Sequence, residues 1–381
     1  MANSPEGIVR KGGISKTLFI ISLVVVAAAS SVTGYAVAGI LKPSSSSTIS
    51  LSGAGATFPY PFISAAITNY SRVNPDVQIN YNPAGSGFGI TQLEAMTVDF
   101  AASDQPLTAT DLSKLTSPAV QIPETIGGVV IAYNLAPTIK TSGLNLTATV
   151  AARIFSGAIT SWNDPAIQSL NTVTLPNVPI RVAHRSDGSG TTYVFTSWLY
   201  TSGTWTGGVG KTAIWAPNSY GANGNQGVAG FIQGTNNTIG YVELNYALSA
   251  TPKMTYCYIQ NPANNFIAPS LRTLGYAVSN YTSTLPTGDG NWTSVSLLNQ
   301  PGAQTYPIAS LTYMMVYKAL NANPSMTQAK AQALVNFLWF VVHDGQAQAT
   351  PLSYVPLPQS VVTVDETTLR SITFNSQTLH S

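Results

Sequence analysis

The chain has 381 residues, of which 44% are hydrophobic and only 8% are charged, and its formal net charge is +2. Nucleic-acid binding needs clustered Lys and Arg to displace phosphate counterions, and the absence of any basic run excludes a nucleic-acid partner. The single cysteine, Cys257, excludes an intrachain disulfide and a cysteine-based metal cluster. We expect Cys257 to be a small buried hydrophobic residue.

The N-terminal segment predicts a membrane-targeting element. Residues 17–41 carry no charge and, at about 1.5 Å per residue in a helix, can span a hydrocarbon core of about 30 Å. Three basic residues precede this segment, so the positive-inside rule predicts that residues 1–16 are cytoplasmic and the body lies outside. A cleaved signal is the alternative to a retained anchor, and the length favours the anchor. Residues 42–50 are predicted to form a Ser-rich flexible linker.

Short apolar runs alternate with helical patterns along the body, which predicts an α/β fold. The predicted strands are VQINY (77–81), GGVVIAYN (127–134), PIRVAH (179–184), IGYVEL (239–244) and YMMVYK (313–318). The predicted helices are 60–71, 89–97, 191–200 and 327–344. In the last helix an apolar stripe contains Leu334, Phe337, Leu338, Val341 and Val342, and Gly345 is expected to end the helix.

Three glycine-rich stretches share one pattern, in which a strand is followed by small residues and then by a helix. They are GAGATFP (53–59), GSGFG (85–89) and RSDGSGTT (185–192). The first turn of a helix has unpaired N–H groups and the positive end of the dipole, and glycine lets a ligand approach the backbone. Ordinary N-capping explains any single loop equally well. Three such loops in a charge-poor chain favour an anion site.

Few charges accompany these loops, and they indicate which anion is bound. Arg185 offers a guanidinium that binds oxyanions through two hydrogen bonds, and Asp187 is placed to hold it. Asp104 ends the run VDFAASD (98–104). Because an ionised carboxylate only accepts hydrogen bonds, it tolerates a ligand that carries a proton and repels one that has none.

The body resembles the phosphate-binding proteins of ABC-type phosphate importers, over roughly residues 50–360. The motifs that carry the resemblance are LSGAGATFPYPF (51–62), AGSGFGI (84–90), VDFAASDQPL (98–107), IPETIGGVVIAYN (122–134), IFSGAITSWNDPAI (154–167), HRSDGSGTTYVFTSWL (184–199), GNQGVAGFI (224–232), TIGYVE (238–243) and YPIASLTYMMVYK (306–318). The resemblance implies a type II periplasmic-binding clamshell whose two α/β lobes enclose the ligand. Lobe one would hold 49–128 and 264–381, and lobe two 129–263.

The resemblance also implies the site and the partners. The ligand would be inorganic phosphate, delivered by a monomeric protein to the permease and ATPase subunits of an importer, with no cofactor or metal. The implied phosphate-binding residues are Thr57, Phe58, Ser86, Asp104, Arg185, Ser189, Gly190 and Thr191, and Asp187 would orient Arg185. The chain departs from many relatives at Gly87 and Phe88, and at His184, which we expect to be structural.

Other functions stay open at this point. The main alternatives are a binding protein for arsenate, molybdate or tungstate, and a phosphate sensor. A hydrolase using Ser189, His184 and Asp187 is disfavoured, because GSG lacks the nucleophile-elbow pattern and the three groups crowd within six residues. A structural surface protein would not need Arg185 and Asp104 beside glycine loops. Weak evidence for an extracytoplasmic glycoprotein comes from Asn-x-Ser/Thr sequences at Asn69, Asn145, Asn236, Asn280 and Asn291.

Overall fold

The computed structural model describes residues 48–135, 139, 141–281 and 284–380. The predicted cytoplasmic segment 1–16, the predicted anchor 17–41 and most of the predicted linker 42–50 lie outside the described residues. Among the helices that are described, none is long and apolar enough to cross a membrane.

The body is an α/β structure built on one large mixed sheet. The described strands are β1 (Ile49–Gly55), β2 (Val77–Asn82), β3 (Phe100–Ser103), β4 (Ala119–Asn134), β5 (Asn145–Leu146), β6 (Arg181–Arg185), β7 (Tyr220–Ala222), β8 (Thr238–Glu243), β9 (Thr255–Tyr256), β10 (Tyr258–Gln260), β11 (Phe266–Ile267), β12 (Ala309–Tyr317), β13 (Thr373–Phe374) and β14 (Gln377–Thr378). The strand order of the large sheet is β2-β1-β3-β12-β4-β8-β6-β7, with β9 added beside β4. Strands β11, β10 and β5 form a small second sheet, and β13 and β14 form a hairpin.

Strand β4 divides the large sheet into two halves. Its N-terminal part pairs antiparallel with β12 up to Gly128, and from Val129 onward it pairs antiparallel with β8. All of its residues except the last are buried, including the polar side chains of Gln121, Glu124 and Thr125. We call β2, β1, β3, β12 and β4 up to Gly128 the first half, and the rest of β4 with β8, β6, β7 and β9 the second half.

Helices pack on the sheet and bury their apolar faces. The described α-helices are α1 (Tyr60–Val73), α2 (Ser86–Glu94), α3 (Ala109–Lys114), α4 (Ala148–Phe155), α5 (Pro165–Gln168), α6 (Gly190–Tyr200), α7 (Gly224–Gly234), α8 (Leu244–Ser249), α9 (Leu271–Ser279), α10 (Gln328–Val342) and α11 (Gln359–Arg370). Short 3-10 helices occupy Trp292–Ser294, Leu320–Ala322, Asp344–Gln348 and Thr350–Leu352.

Each half has its own aromatic core. In the first half Tyr70 of α1 packs edge-on against Phe337 of α10, with ring centroids 5.3 Å apart. In the second half Phe195 of α6 stacks on Tyr241 of β8 at 4.4 Å, and Trp215 stacks on the same tyrosine at 5.4 Å. These aromatic contacts bury helices α10 and α6 against their neighbours.

The predicted elements are present, with shifted ends. All five predicted strands are confirmed, although β4 begins at Ala119 and β12 at Ala309, earlier than predicted. The apolar stripe of α10 is buried as predicted. Helix α2 begins at Ser86 rather than at residue 89, because the glycine-rich stretch forms its first turn. Gly345 does not end α10, which ends at Val342 and is followed by the 3-10 helix containing Gly345.

Candidate functional site

The three glycine-rich loops meet at the junction of the two halves of the sheet. They follow β1, β2 and β6 and lead into α1, α2 and α6. The backbone N–H of Gly87 donates to the carbonyl of Gly188 at 2.7 Å, which joins the second loop to the third. Gly85 has a φ of +102°, and a Cβ there would lie 2.3 Å from Asp187 Oδ2, so this close approach requires glycine.

Arg185 is the buried cation of the site. Its Nε donates to Asp187 Oδ1 at 2.8 Å, and its Nη2 donates to Asp187 Oδ2. Its Nη1 donates to Thr191 Oγ1 at 3.2 Å. Asp187 is itself held by the backbone N–H of Gly224 at 3.1 Å. The contact predicted between Arg185 and Asp187 is therefore present, and it fixes the guanidinium plane.

Asp104 lies across from this cation, at the end of β3. Its Oδ2 accepts from Thr191 Oγ1 at 3.3 Å, and its Oδ1 is buried and has no hydrogen-bond partner among the described residues. Ser86 Oγ accepts from the backbone N–H of Gly190 at 3.0 Å and from that of Asp104 at 3.4 Å. A Cβ on Gly190 would lie 2.6 Å from Asp104 Oδ2, so the start of α6 approaches this carboxyl closely.

The first loop contributes Thr57 and Phe58. Thr57 Oγ1 accepts two hydrogen bonds from Asn225, one from its backbone N–H at 3.1 Å and one from Nδ2 at 3.0 Å. The carbonyl oxygen of Thr57 accepts from Tyr246 at 2.6 Å, and that of Phe58 accepts from Tyr354 at 2.6 Å. These contacts fix the course of the loop and connect it to the second half of the sheet.

Ser189 caps a helix, which is the ordinary role that the sequence allows for each of the three loops. Its Oγ accepts from the backbone N–H of Thr192 at 3.0 Å, so Ser189 is the N-cap of α6. A capping hydroxyl keeps its own proton, so capping and donation to an anion are compatible. The structure thus brings all eight predicted site residues and Asp187 into this one region.

Burial raises the pKa of Asp104 to about 7, against the opposing effect of the Arg185 guanidinium. In the ligand-free protein this carboxyl therefore changes charge near neutral pH, because the side chain is shielded from water and one oxygen has no donor. Below about pH 7 the ligand-free site therefore carries a neutral Asp104.

Several buried residues around the site were not predicted. Glu124 of β4 is fully buried, and neither of its carboxyl oxygens has a hydrogen-bond partner in the described structure. Burial, followed by repulsion from Asp104, raises its pKa well above the ordinary value. Burial likewise raises the pKa of Glu243, whose Oε2 lies 3.0 Å from the Tyr354 hydroxyl. Sequence reasoning had no signal for these acids, since an acidic residue within a strand is ordinarily exposed.

Asn225 is the other residue that was missed, although its motif GNQGVAGFI contributes to the family resemblance. It lies at the start of α7, fully buried, and contacts both Thr57 and Thr191. The glycines around it could have indicated a fourth loop of the same kind as the other three.

His184 and Cys257 have side-chain types that can be reactive, and both are packed against neighbouring residues in the structure. His184 is half-buried, stacks on Trp215 with ring centroids 5.2 Å apart, and its Nδ1 lies 2.9 Å from the carbonyl oxygen of Arg185. Burial lowers its pKa. Cys257 is buried as predicted, and burial raises the pKa of its thiol. The serine, histidine and acid of a catalytic triad are linked to one another by hydrogen bonds. Here His184, Ser189 and Asp187 each contact a different partner.

Comparison with known proteins adds independent information. A family model described as a PBP superfamily domain matches residues 42–344. The phosphate-binding protein PstS of Xylella fastidiosa (strain Temecula1) is 38% identical over 324 residues, covering 82% of this chain and 83% of the relative. PstS of Haemophilus influenzae is 39% identical over 317 residues, covering 82% of this chain and 90% of the relative. The solved structure of a high affinity periplasmic phosphate-binding protein, PfluDING, bound with phosphate, superposes with a TM-score of 0.68 at 20% identity, covering 84% of this chain and 93% of that one.

Proposed function

This chain belongs to the PstS family of phosphate-binding proteins, within the PBP superfamily, and we propose that it captures inorganic phosphate outside the cytoplasm for an ABC importer. The observation that carries the proposal is the convergence of Arg185, Asp104 and the N-terminus of α6 between the two halves of the sheet. A guanidinium and helix N–H groups provide donors for a phosphate oxyanion, and the carboxyl provides an acceptor for its proton.

The phosphate contacts follow from this arrangement. Backbone and hydroxyl donors come from Thr57, Phe58 and Ser86 in the first half. Arg185, Ser189, Gly190 and Thr191 donate from the second half, and Asp187 keeps the guanidinium in place. Asp104 accepts the proton of the ligand. The pairing of β4 supports the proposed lobes, 49–128 with 264–381 and 129–263, because its partner changes from β12 to β8 between Gly128 and Val129.

In the cell, we propose that residues 17–41 anchor the protein in the membrane. We also propose that the protein acts as a monomer that delivers phosphate to the permease and ATPase subunits of an importer. It acts by binding and not by catalysis, which the separate engagement of Ser189, His184 and Asp187 supports. Of the five glycosylation sequences, Asn236 and Asn291 are exposed and are the proposed acceptors.

Isothermal titration calorimetry on the full chain, stripped of ligand, tests the proposal. Phosphate has about five heavy atoms, and a ceiling of about −1.5 kcal/mol per atom predicts an affinity near micromolar. We expect one-to-one binding that survives excess sulfate at about pH 8, where Asp104 is ionised. Absence of phosphate heat, together with binding of arsenate, molybdate or tungstate, would assign the site to another oxyanion.

A further inference from the structure

Asn225 uses its backbone N–H and both ends of its side-chain amide at the junction of the two halves. Its backbone N–H and one Nδ2 proton go to Thr57 Oγ1, at 3.1 and 3.0 Å, and the other Nδ2 proton goes to Thr191 Oγ1 at 3.1 Å. Its Oδ1 accepts from the backbone N–H of Glu243 at 2.9 Å. Since a backbone N–H can only donate, this last contact fixes which end of the amide is oxygen. The Nδ2 end therefore faces the two threonines.

These contacts determine the direction of both threonine protons. A hydroxyl has one proton to donate and two lone pairs to accept. Thr57 Oγ1 accepts twice from Asn225, so both lone pairs are occupied and only its proton is left to offer. Thr191 Oγ1 accepts from Arg185 and from Asn225, and its proton points to Asp104 Oδ2 at 3.3 Å. Neither hydroxyl can act as an acceptor toward a ligand while Asn225 stays in place.

We infer that Asn225 is a positioning residue that fixes the Thr57 hydroxyl as a hydrogen-bond donor toward the ligand and the Thr191 hydroxyl as a donor to Asp104, and that it thereby makes the site selective for an anion. The inference rests on the proposed function, because both threonines are proposed phosphate contacts. Asn225 also spans the junction, linking Thr57 of the first half to Thr191 and Glu243 of the second. The donor pattern is therefore complete only when the two halves meet.

Asn225→Asp tests the direction of the protons with almost no change in shape. An ionised aspartate accepts from both hydroxyls, which turns the Thr57 proton away from the ligand and the Thr191 proton away from Asp104, whereas a protonated aspartate restores one donor. We expect phosphate affinity to fall about 100-fold relative to the wild type at about pH 8, and the ratio to recover to within about 10-fold at about pH 5. Dividing by the wild-type value at each pH removes the titration of Asp104 and of phosphate itself.

Two further variants separate proton direction from simple packing. Asn225→Ala frees the hydroxyls without reversing them, so we expect a loss of about 10-fold with no recovery at acidic pH. Asn323→Asp is the matched control, because Asn323 is also buried but donates to the carbonyl of Val98 and accepts from Ser325. We expect its affinity ratio to be constant with pH. Circular dichroism and thermal melting verify that each variant is folded.

The outcomes distinguish the two proposals. If the wild type gives no phosphate heat, the proposed function fails. If the wild type binds and the Asn225→Asp ratio is the same at both pH values, or Asn225→Ala binds as tightly as the wild type, the role of Asn225 is refuted. If Asn225→Asp does not fold, a double-mutant cycle of Asn225→Ala with Thr57→Val replaces it. The inference then requires non-additive losses, and additive losses overturn it.

Discussion

The two halves of the sheet bring different chemistry to the site. The first half supplies Thr57, Ser86 and Asp104, which are two hydroxyls and a carboxyl with one unpaired oxygen. The second half supplies Arg185, whose charge is already paired with Asp187, and the N-terminus of α6. Neither half alone supplies both the hydrogen-bond donors and the acceptor that an anion carrying a proton requires. The guanidinium is largely neutralised before the ligand arrives, so much of the ligand's charge must be met by directed hydrogen bonds.

The largest expected effect comes from removing the carboxyl of the first half. In Asp104→Asn the amide can donate to any oxyanion, so we expect the preference for phosphate over sulfate to fall by up to about 10⁴-fold at about pH 8. Because the pKa of Asp104 is about 7, the wild type itself should lose sulfate rejection as the pH falls below that value. Competition calorimetry with sulfate between about pH 5 and 8 measures both effects.

Asp365→Asn is the control for this variant. Asp365 is an equally buried carboxyl on α11, and burial raises its pKa as well. We expect its selectivity to match the wild type. Unchanged selectivity in Asp104→Asn would show that discrimination comes from the donors of the second half instead.

The same carboxyl makes stability depend on pH. The pKa of Asp104 is about 3.9 in an unfolded chain and about 7 in the folded, ligand-free protein. Because the folded value is the higher one, its contribution is fully present below about pH 4 and is lost as the pH rises through 7, by at most about 4 kcal/mol. Urea denaturation of ligand-free wild type and Asp104→Asn across this range should show the difference between the two growing with pH. A constant difference would mean that folding does not raise the pKa of Asp104.

A substitution at Gly190 tests how closely the start of α6 must approach Ser86 and Asp104. A Cβ at this position would lie 2.5 Å from Ser86 Oγ and 2.6 Å from Asp104 Oδ2. Relieving that overlap should cost about 2 kcal/mol, so Gly190→Ala should bind phosphate about 30-fold more weakly in calorimetry. Gly230→Ala is the matched control, because nothing lies within 4 Å of its added methyl group and no loss is expected. Equal affinities of the two variants would contradict tight contact at the start of α6.

The smallest expected effect concerns Glu124, which lies in the strand that both halves share. Burial raises the pKa of Glu124 well above its ordinary value and so favours the neutral carboxyl, which Glu124→Gln mimics in charge and shape. We expect phosphate affinity at about pH 7 to change by less than about threefold by calorimetry, and the variant to be more stable than the wild type in alkaline solution. A large loss of affinity would identify Glu124 as an ionised partner of the site.

The sequence predicts local parts of the site better than long-range ones. The loops are recognisable because glycine and hydroxyl residues between a strand and a helix leave a local pattern, and Arg185 with Asp187 pair within two residues. Asn225 pairs with Thr57 across 168 positions, and a single sequence does not show such a pairing. Helix α7 was missed for a different reason, since the four glycines in GNQGVAGFIQG lower its helix propensity and tertiary packing supplies the difference.

The position of β12 in the sheet has a consequence for the order of folding. It lies between β3 and β4, yet Thr312 follows its neighbour Thr125 by 187 residues. The strands of the second half, from Val129 to Tyr256, are contiguous in the chain and can pair as soon as they are synthesised. The first half keeps two open strand edges until β12 is available, and closing so long a loop is slow. Completion of the first half, and with it of the region between the two halves, therefore waits for residues late in the chain.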